Sequence, residues 1–511
     1  MRTSPDCYLS VEAGMRRLCG MFLTLLFIFP RFLDAQETHH HAAPEKLGAV
    51  SFPTSCRPEV QQQFDRGVAL LHSFAYAAAA NAFQSVADQD PGCAMAHWGI
   101  AMAYFQQLWD PPLSPTTIPT AQREIQLAEQ AKTSTERERK FISALSLIYQ
   151  DPDTVAYRTR TLNYERAMKD LAAQYPKDEE AQVFYALALL ANASPADKSH
   201  ANQKEAADLL EPLYRVYPQH PGIPHYLIHA YDSAELASKG LPAARDYAKI
   251  APSAPHALHM PSHIFTRLGL WEDSIASNAA AWNAAHLQGD IGEELHAMDY
   301  LEYAYLQMGR DSEAAQVVQQ LKGMSGLDTA DFKAGYAATA IPIRYAVERG
   351  QWADAASIVP PTGVPPQITA TAVWARGLGL DRSGHSAAAQ LEADRLRKIE
   401  SQLRASGNDY WASQVNIMLR ELTAWLAQSA GKSAEAVTVM REAADEEDAE
   451  EKLPVTPGPI LPAREQLANM LLEQGRPDDA SKEFATALQN APGRRGALQG
   501  AARAAELSGH K

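Results

Sequence analysis

From about residue 58 onward, apolar positions recur every third or fourth residue in alanine-rich segments of roughly 12–20 residues. That spacing lines one face of a helix, whereas a half-buried strand needs alternation at every second residue, and no convincing run of that kind occurs. Pro, Gly and Asp punctuate the segments. Helix-ending prolines fall at Pro176, Pro218 and Pro252. Corners are marked by Gly269-Leu270-Trp271-Glu272-Asp273, Gly309-Arg310-Asp311, Gly350-Gln351-Trp352-Ala353-Asp354 and Gly475-Arg476-Pro477-Asp478. The pattern predicts an all-α chain of successive helical hairpins.

Within this rhythm, small and aromatic residues keep a fixed order. Gly67, Ala79, Phe83 and Pro91 show it near the start, and Ala468, Ala480, Phe484, Ala487 and Pro492 near the end. Small residues let two helices cross closely, an aromatic fills the gap to the next hairpin, and proline stops the second helix. This order resembles the tetratricopeptide repeat, and it implies an α-solenoid of roughly eleven helix–turn–helix units. Proline-rich breaks lie at Trp109-Asp110-Pro111-Pro112 to Pro119, at Val359 to Pro366, and at Pro454 to Pro462. The reading is an N-terminal array over 58–358 and a C-terminal array over 367–511.

At 511 residues the chain exceeds what one compact core usually serves, which fits an elongated array. Its start differs from the rest. Arg16 and Arg17 precede the apolar run Met21 to Phe29, and Leu33-Asp34-Ala35 closes it with a small residue. Such a run is too short to span a bilayer and reads as a signal peptide over 1–35, followed by a flexible leader over 36–57. Export to the periplasm or beyond is therefore expected, with no transmembrane helix in the mature chain. Cys56 and Cys93 are then the only cysteines left, and an oxidising compartment favours a bond between them. The formal charge of −15 becomes near −16 once four basic and three acidic residues of the first 35 are removed. That balance argues against a nucleic-acid partner. The run Asp445 to Glu451 is expected to be a solvated helix end.

Histidine changes the picture. Of the 16 in the chain, eight lie between residues 220 and 296. His225 and His229 form one i, i+4 pair, and His259 and His263 form another 34 residues later, one repeat period on. Helical periodicity aligns His225, His229 and Asp232, then His256, His259 and His263, then His296, Asp299 and Tyr303. Aligned by their corner glycines, Asp299 corresponds to His259 and His296 to His256. The first helix of each unit lines the concave side of such an array, so these faces are expected to converge on one hollow. Pro261 lies between His259 and His263 and must either start or kink the helix there. Ser262 is expected to fill the small position against the next helix.

Candidate metal ligands are His225, His229, His259, His263, His296 and Asp299. Candidate groove contacts are His225, His229, Asp232, His256 and Tyr303. Imidazoles with a carboxylate suit Zn²⁺ or another transition metal. Neither His pair carries the glutamate of His-Glu-x-x-His zinc peptidases, and no phosphate loop, nucleophile elbow or Cys-x-x-Cys pair is present. The runs Pro224 to Ala230, His259 to Phe265 and His296 to Leu301, with Ala94-Met95-Ala96-His97-Trp98-Gly99, resemble a group of exported bacterial tetratricopeptide proteins. That resemblance implies a fold and no reaction. Two functions follow. One is a scaffold whose groove holds a peptide or protein partner in the cell envelope. The other is a transition-metal protein or metal-dependent hydrolase built on the cluster of residues 225–299. The scaffold is expected ahead of the metal protein, because binding is the usual work of this fold, and an enzymatic role is expected less than a binding one.

Overall fold

The computed structural model describes residues 45–108, 113 and 116–509. The signal segment, the first part of the leader (36–44) and Trp109 to Pro112 fall outside these. Among the described residues the chain is helix after helix, with no strand. Each helix packs on its sequence neighbour, as Gln61–His72 does on Tyr76–Gln89 and Tyr76–Gln89 on Ala94–Tyr104. The protein is a tetratricopeptide-like α-solenoid.

Hairpin packing follows the small and aromatic order. Phe83 is fully buried, and its ring lies where a Cβ on Gly67 or on Gly99 would come within 2.6 and 2.5 Å of it. Two helices thus close on one ring only because both opposing positions lack side chains. Phe484 and Gly500 repeat the arrangement at the far end. The corner glycine Gly269 has φ +67°, and a Cβ there would also meet the carbonyl oxygen of Pro492 at 2.3 Å. That position needs glycine twice over.

Two departures from a simple array position the site. Residues 45–57 precede the first long helix as an extended segment, tied down by Lys46 N–H to Ser253 Oγ and Ala49 N–H to the Gln219 carbonyl, both 2.8 Å. Cys56 in this segment is disulfide-bonded to Cys93, at the start of the third helix. The second departure is at the other end. After helix Ser433–Ala449, residues 450–462 leave the repeat path and cross to the middle units. Glu451 N–H reaches the Pro195 carbonyl (2.8 Å), and Glu451 carboxylate oxygens meet Lys198 and Arg267. The acidic run is therefore not a solvated helix end. Glu447 caps Ala463 N–H, and Asp445 and Asp448 pair with Arg464. The last hairpin then closes on the middle. Arg494, buried, bridges Glu465 and Glu348, and Trp271 donates to the Gly493 carbonyl at 3.0 Å. The described residues form one compact unit.

Candidate metal centre

The helix Gly222–Tyr231 carries His225 and His229 one turn apart. The next unit enters through Pro255–His259 and Pro261–Arg267, with Met260 between them at φ −53° and ψ −36°. The path stays right-handed through Pro261, with Met260 N–H bonded to His256 and His263 N–H to Met260. The interruption is thus a break in the hydrogen-bond ladder, and His256, His259 and His263 all still turn inward. His296 comes from helix Ile291–Gln307.

These six rings form two triads. In the first, His225 Nε2 lies 3.1 Å from His229 Nε2 and 3.2 Å from His256 Nε2. In the second, His259 Nε2 lies 3.1 Å from His263 Nε2, with a His296 ring nitrogen close enough that all three ligand atoms fall within 4.8 Å of one another. The triads are adjacent. Ring centroids are 6.0 Å apart between His229 and His263, and 6.1 Å apart between His256 and His259. Five of the six residues are buried, and His229 is half-buried.

The outer nitrogens decide what the inner ones are. His225 donates Nδ1–H to the His72 carbonyl at 2.6 Å. His256 directs Nδ1 at Glu293 Oε2 (3.2 Å), His263 directs Nδ1 at Asp232 Oδ2 (2.9 Å), and His259 directs Nδ1 at Asn278 Oδ1 (2.7 Å). The Asn278 amide orientation is fixed by its NH₂ donating to the Ser274 carbonyl. Carbonyl and carboxylate oxygens only accept, so each of these rings carries its proton on Nδ1 and a lone pair on Nε2. His225 and His256 therefore meet Nε2 to Nε2 across 3.2 Å, and the neutral His259 and His263 face each other lone pair to lone pair across 3.1 Å. Such a lone-pair contact repels unless a cation lies between the rings.

Electrostatics keep five of these rings, His225, His229, His259, His263 and His296, neutral. Burial, then the neighbouring imidazoles, holds His225, His229 and His259 well below the ordinary value, and burial is the main cause for His296. His263 is lowered to about 4, with burial outweighing the pull of Asp232. Around them the charges are paired. Burial would raise Asp232, but Lys452 at 3.0 Å and Arg267 at 2.8 Å hold it well below the usual carboxylate range. Glu293, likewise buried, is held down by Lys333 at 2.5 Å and His256. Phe74 packs on the first triad, 4.4 Å from His225, and Tyr300 stacks on His263 at 5.0 Å.

A third cluster contrasts with these. His72 accepts from Tyr226 and donates to Glu180, while His220 donates to Glu180 and accepts from Gly222 N–H. All four ring nitrogens are engaged, so this is a support for His225 through the His72 carbonyl.

The candidates named from sequence are thus divided. His225, His229, His259, His263 and His296 come together, and His256 joins them inside the first triad. Asp232 sits behind His263 as its Nδ1 partner. Asp299 lies elsewhere: its Oδ1 is 3.2 Å from Arg344 of the helix Phe332–Val347. Tyr303 is also apart, its hydroxyl meeting Arg494 at 3.2 Å. The rings are enclosed instead of lining an open hollow. Ser262 is buried against Asn278 as expected. His97 pairs with Glu124, and Trp98 packs among Phe52, Phe141 and Phe184, away from the cluster. Sequence reasoning missed His72, Phe74, Asn278, Glu293 and Lys452. Glu293, three residues before His296, had a helical-spacing signal. Asn278 lies on the helix that follows His263, and His72, Phe74 and Lys452 come from distant segments.

Beyond Arg267 and Lys452 a cavity opens, walled by Tyr336, Trp374, Tyr410 and Trp411 and floored by Glu421 and Glu447. Glu447 is pushed up to about 8 by burial and by Asp448.

No protein-family model matches this chain, and no curated protein matches it by sequence. Among solved structures, the TPR domain of P58(IPK) is 14% identical, covering 88% of this chain and 98% of that one, with a TM-score of 0.22. Yeast Tom70 is 10% identical over 86% of this chain and 87% of its own, with a TM-score of 0.33. A human IFIT1 dimer with m7Gppp-AAAA is 11% identical over 81% and 90%, with a TM-score of 0.37. Nothing about function follows from likeness at this level. The fold and site together define a helical-repeat protein with a buried polyhistidine centre.

Proposed function

We propose that this protein binds two transition-metal ions side by side, one in each histidine triad. The observation that carries the reading is the inward convergence of Nε2 lone pairs whose Nδ1 protons are committed to His72, Glu293, Asn278 and Asp232. Metal-binding imidazoles are oriented by such outer partners, which fix the tautomer and raise the basicity of the ligating nitrogen. The Cys56–Cys93 bond supports a site of action outside the reducing cytoplasm, in the cell envelope. Elemental analysis of untagged protein tests the reading. Two ions per chain are expected, and His229→Ala with His263→Ala, which removes one ligand from each triad, should lose both. A native protein that takes up no metal after reconstitution would end it.

A second reading has its own observation. The middle of the array already holds an irregular, proline-rich segment, residues 450–462, with Tyr300 and Arg494 donating to its carbonyls. A surface that accepts a non-helical stretch of its own chain through carbonyl contacts supports a scaffold for a peptide partner in the envelope. Capture of envelope proteins on the His229/His263 variant separates the two, since partner binding without metal would favour the scaffold.

A further inference from the structure

Resting on the two-ion reading, we infer that each triad takes copper as Cu(I), and that the reduced pair binds one dioxygen molecule between the two ions. Four features of the site lead there.

The donor set comes first. Every candidate ligand is an imidazole, and the nearby carboxylates, Asp232 and Glu293, are turned to the Nδ1 side. Paired iron or manganese ions in helical proteins rely on ligating carboxylates, and Mg²⁺ and Ca²⁺ require oxygen. Imidazole alone suits copper and zinc.

Charge separates those two. A pair of Zn²⁺ ions would bring four positive charges into a buried, neutral ligand cage, whereas a pair of Cu(I) ions brings two. The surroundings offer no surplus negative charge. Asp232, Glu293 and Glu451 contribute three negative charges, and the Lys452, Arg267, Lys333 and Lys198 paired with them contribute four positive ones. Burying uncompensated charge is costly, so the ion of lower charge is favoured.

Ligand number and placement supply the rest. Three nitrogens per ion satisfy Cu(I) while leaving a position open on each. The triads adjoin, with His229 and His263 rings 6.0 Å apart and His256 and His259 rings 6.1 Å apart. Phe74 and Tyr300 wall the two sides, and the Tyr300 hydroxyl is committed to the Thr456 carbonyl at 2.9 Å. A small apolar molecule can enter such a space where water gains little. On binding, each Cu(I) gives one electron. Dioxygen is thereby reduced to the peroxide level, its O–O bond order falls from two to one, and both ions become Cu(II). Release of dioxygen returns the electrons, and no proton is required.

The test uses the full chain without a tag. Under anaerobic conditions it is titrated with Cu(I) held by a chromophoric chelator, then challenged with excess Zn²⁺. Two Cu(I) per chain, retained against Zn²⁺, are expected. Admission of air should then consume one dioxygen per copper pair, raise a peroxide-to-Cu(II) charge-transfer band, and give no electron paramagnetic signal, because the two spins couple. His259→Ala with His263→Ala should keep one Cu(I) and lose the band. If that variant is unfolded by circular dichroism, His229→Gln at the half-buried rim reads the same loss. Displacement of copper by Zn²⁺, or a full Cu(II) paramagnetic signal after air, would overturn the inference while leaving two metal sites standing. Failure to bind any metal would overturn both readings.

Discussion

His225 shows how one side chain acquires a role from its partners. Its i, i+4 relation to His229 is visible in the chain, yet the proton on Nδ1 is assigned by a carbonyl 153 residues away. The same holds for His263, whose Nδ1 meets Asp232, itself gripped by Lys452, 220 residues further on. Asp299 illustrates the converse. Helical spacing aligned it with His296, but Arg344 from a later helix took the carboxylate. Spacing therefore disclosed which rings share a face, and it could not disclose which charged groups a folded array would bring up behind them.

The titration of these rings has a measurable consequence. In the metal-free protein His225, His229, His259 and His263 are held neutral, their folded values lying below the ordinary 6.5, with His263 near 4. Below pH 6.5 the unfolded chain takes up protons that the folded chain refuses, so stability is fully present above that value and declines as pH falls toward 4. The melting temperature of metal-free protein should drop between pH 7 and pH 5. His263→Gln should flatten that slope, and a slope unchanged by the variant would contradict the buried neutral ring.

At the scale of elements, most of the fold was legible because hairpin packing is local. Gly67, Phe83 and Phe484 occupy the places the repeat pattern assigned to them, since each answers to a neighbour one helix away, and the corner glycines do so because their positive φ is a local need of the turn. Phe83 tests this directly. Its ring is confined by Gly67 on one side and Gly99 on the other, so Gly99→Ala leaves it nowhere to retreat. We expect a loss of about 1–3 kcal/mol in denaturant unfolding. A neutral result would mean the two helices are not in close contact. Pro261 was legible only in part. The chain showed that the helix must be disturbed there, while the right-handed backbone at Met260 that keeps His259 facing inward depends on the hairpin around it.

The whole molecule departs from what repeats alone predict. A simple solenoid has two independent ends, each touching one neighbour. Here Arg494 reaches across to Glu348 and Tyr303, Arg495 to Asp311, and the 450–462 segment to Asp232 and Tyr300. None of these long-range contacts has a local signal, which is why the crossing segment read as a mere break between units. Arg494→Ala would leave two buried carboxylates, Glu348 and Glu465, without their cation. A cost of about 3–5 kcal/mol is expected. It should lower the single unfolding transition of the entire array; a separate early transition confined to the last hairpin would argue against closure.

The crossing segment also orders events in time. A chain made from its amino terminus holds all six histidines after residue 296, yet Lys452 arrives more than 150 residues later. Until then Asp232 has Arg267 but not the lysine that completes its grip, and Tyr300 has no carbonyl to hold it against His263. Nascent chains would thus carry an unfinished centre through synthesis, and tight capture of metal would wait for the last hairpins to close.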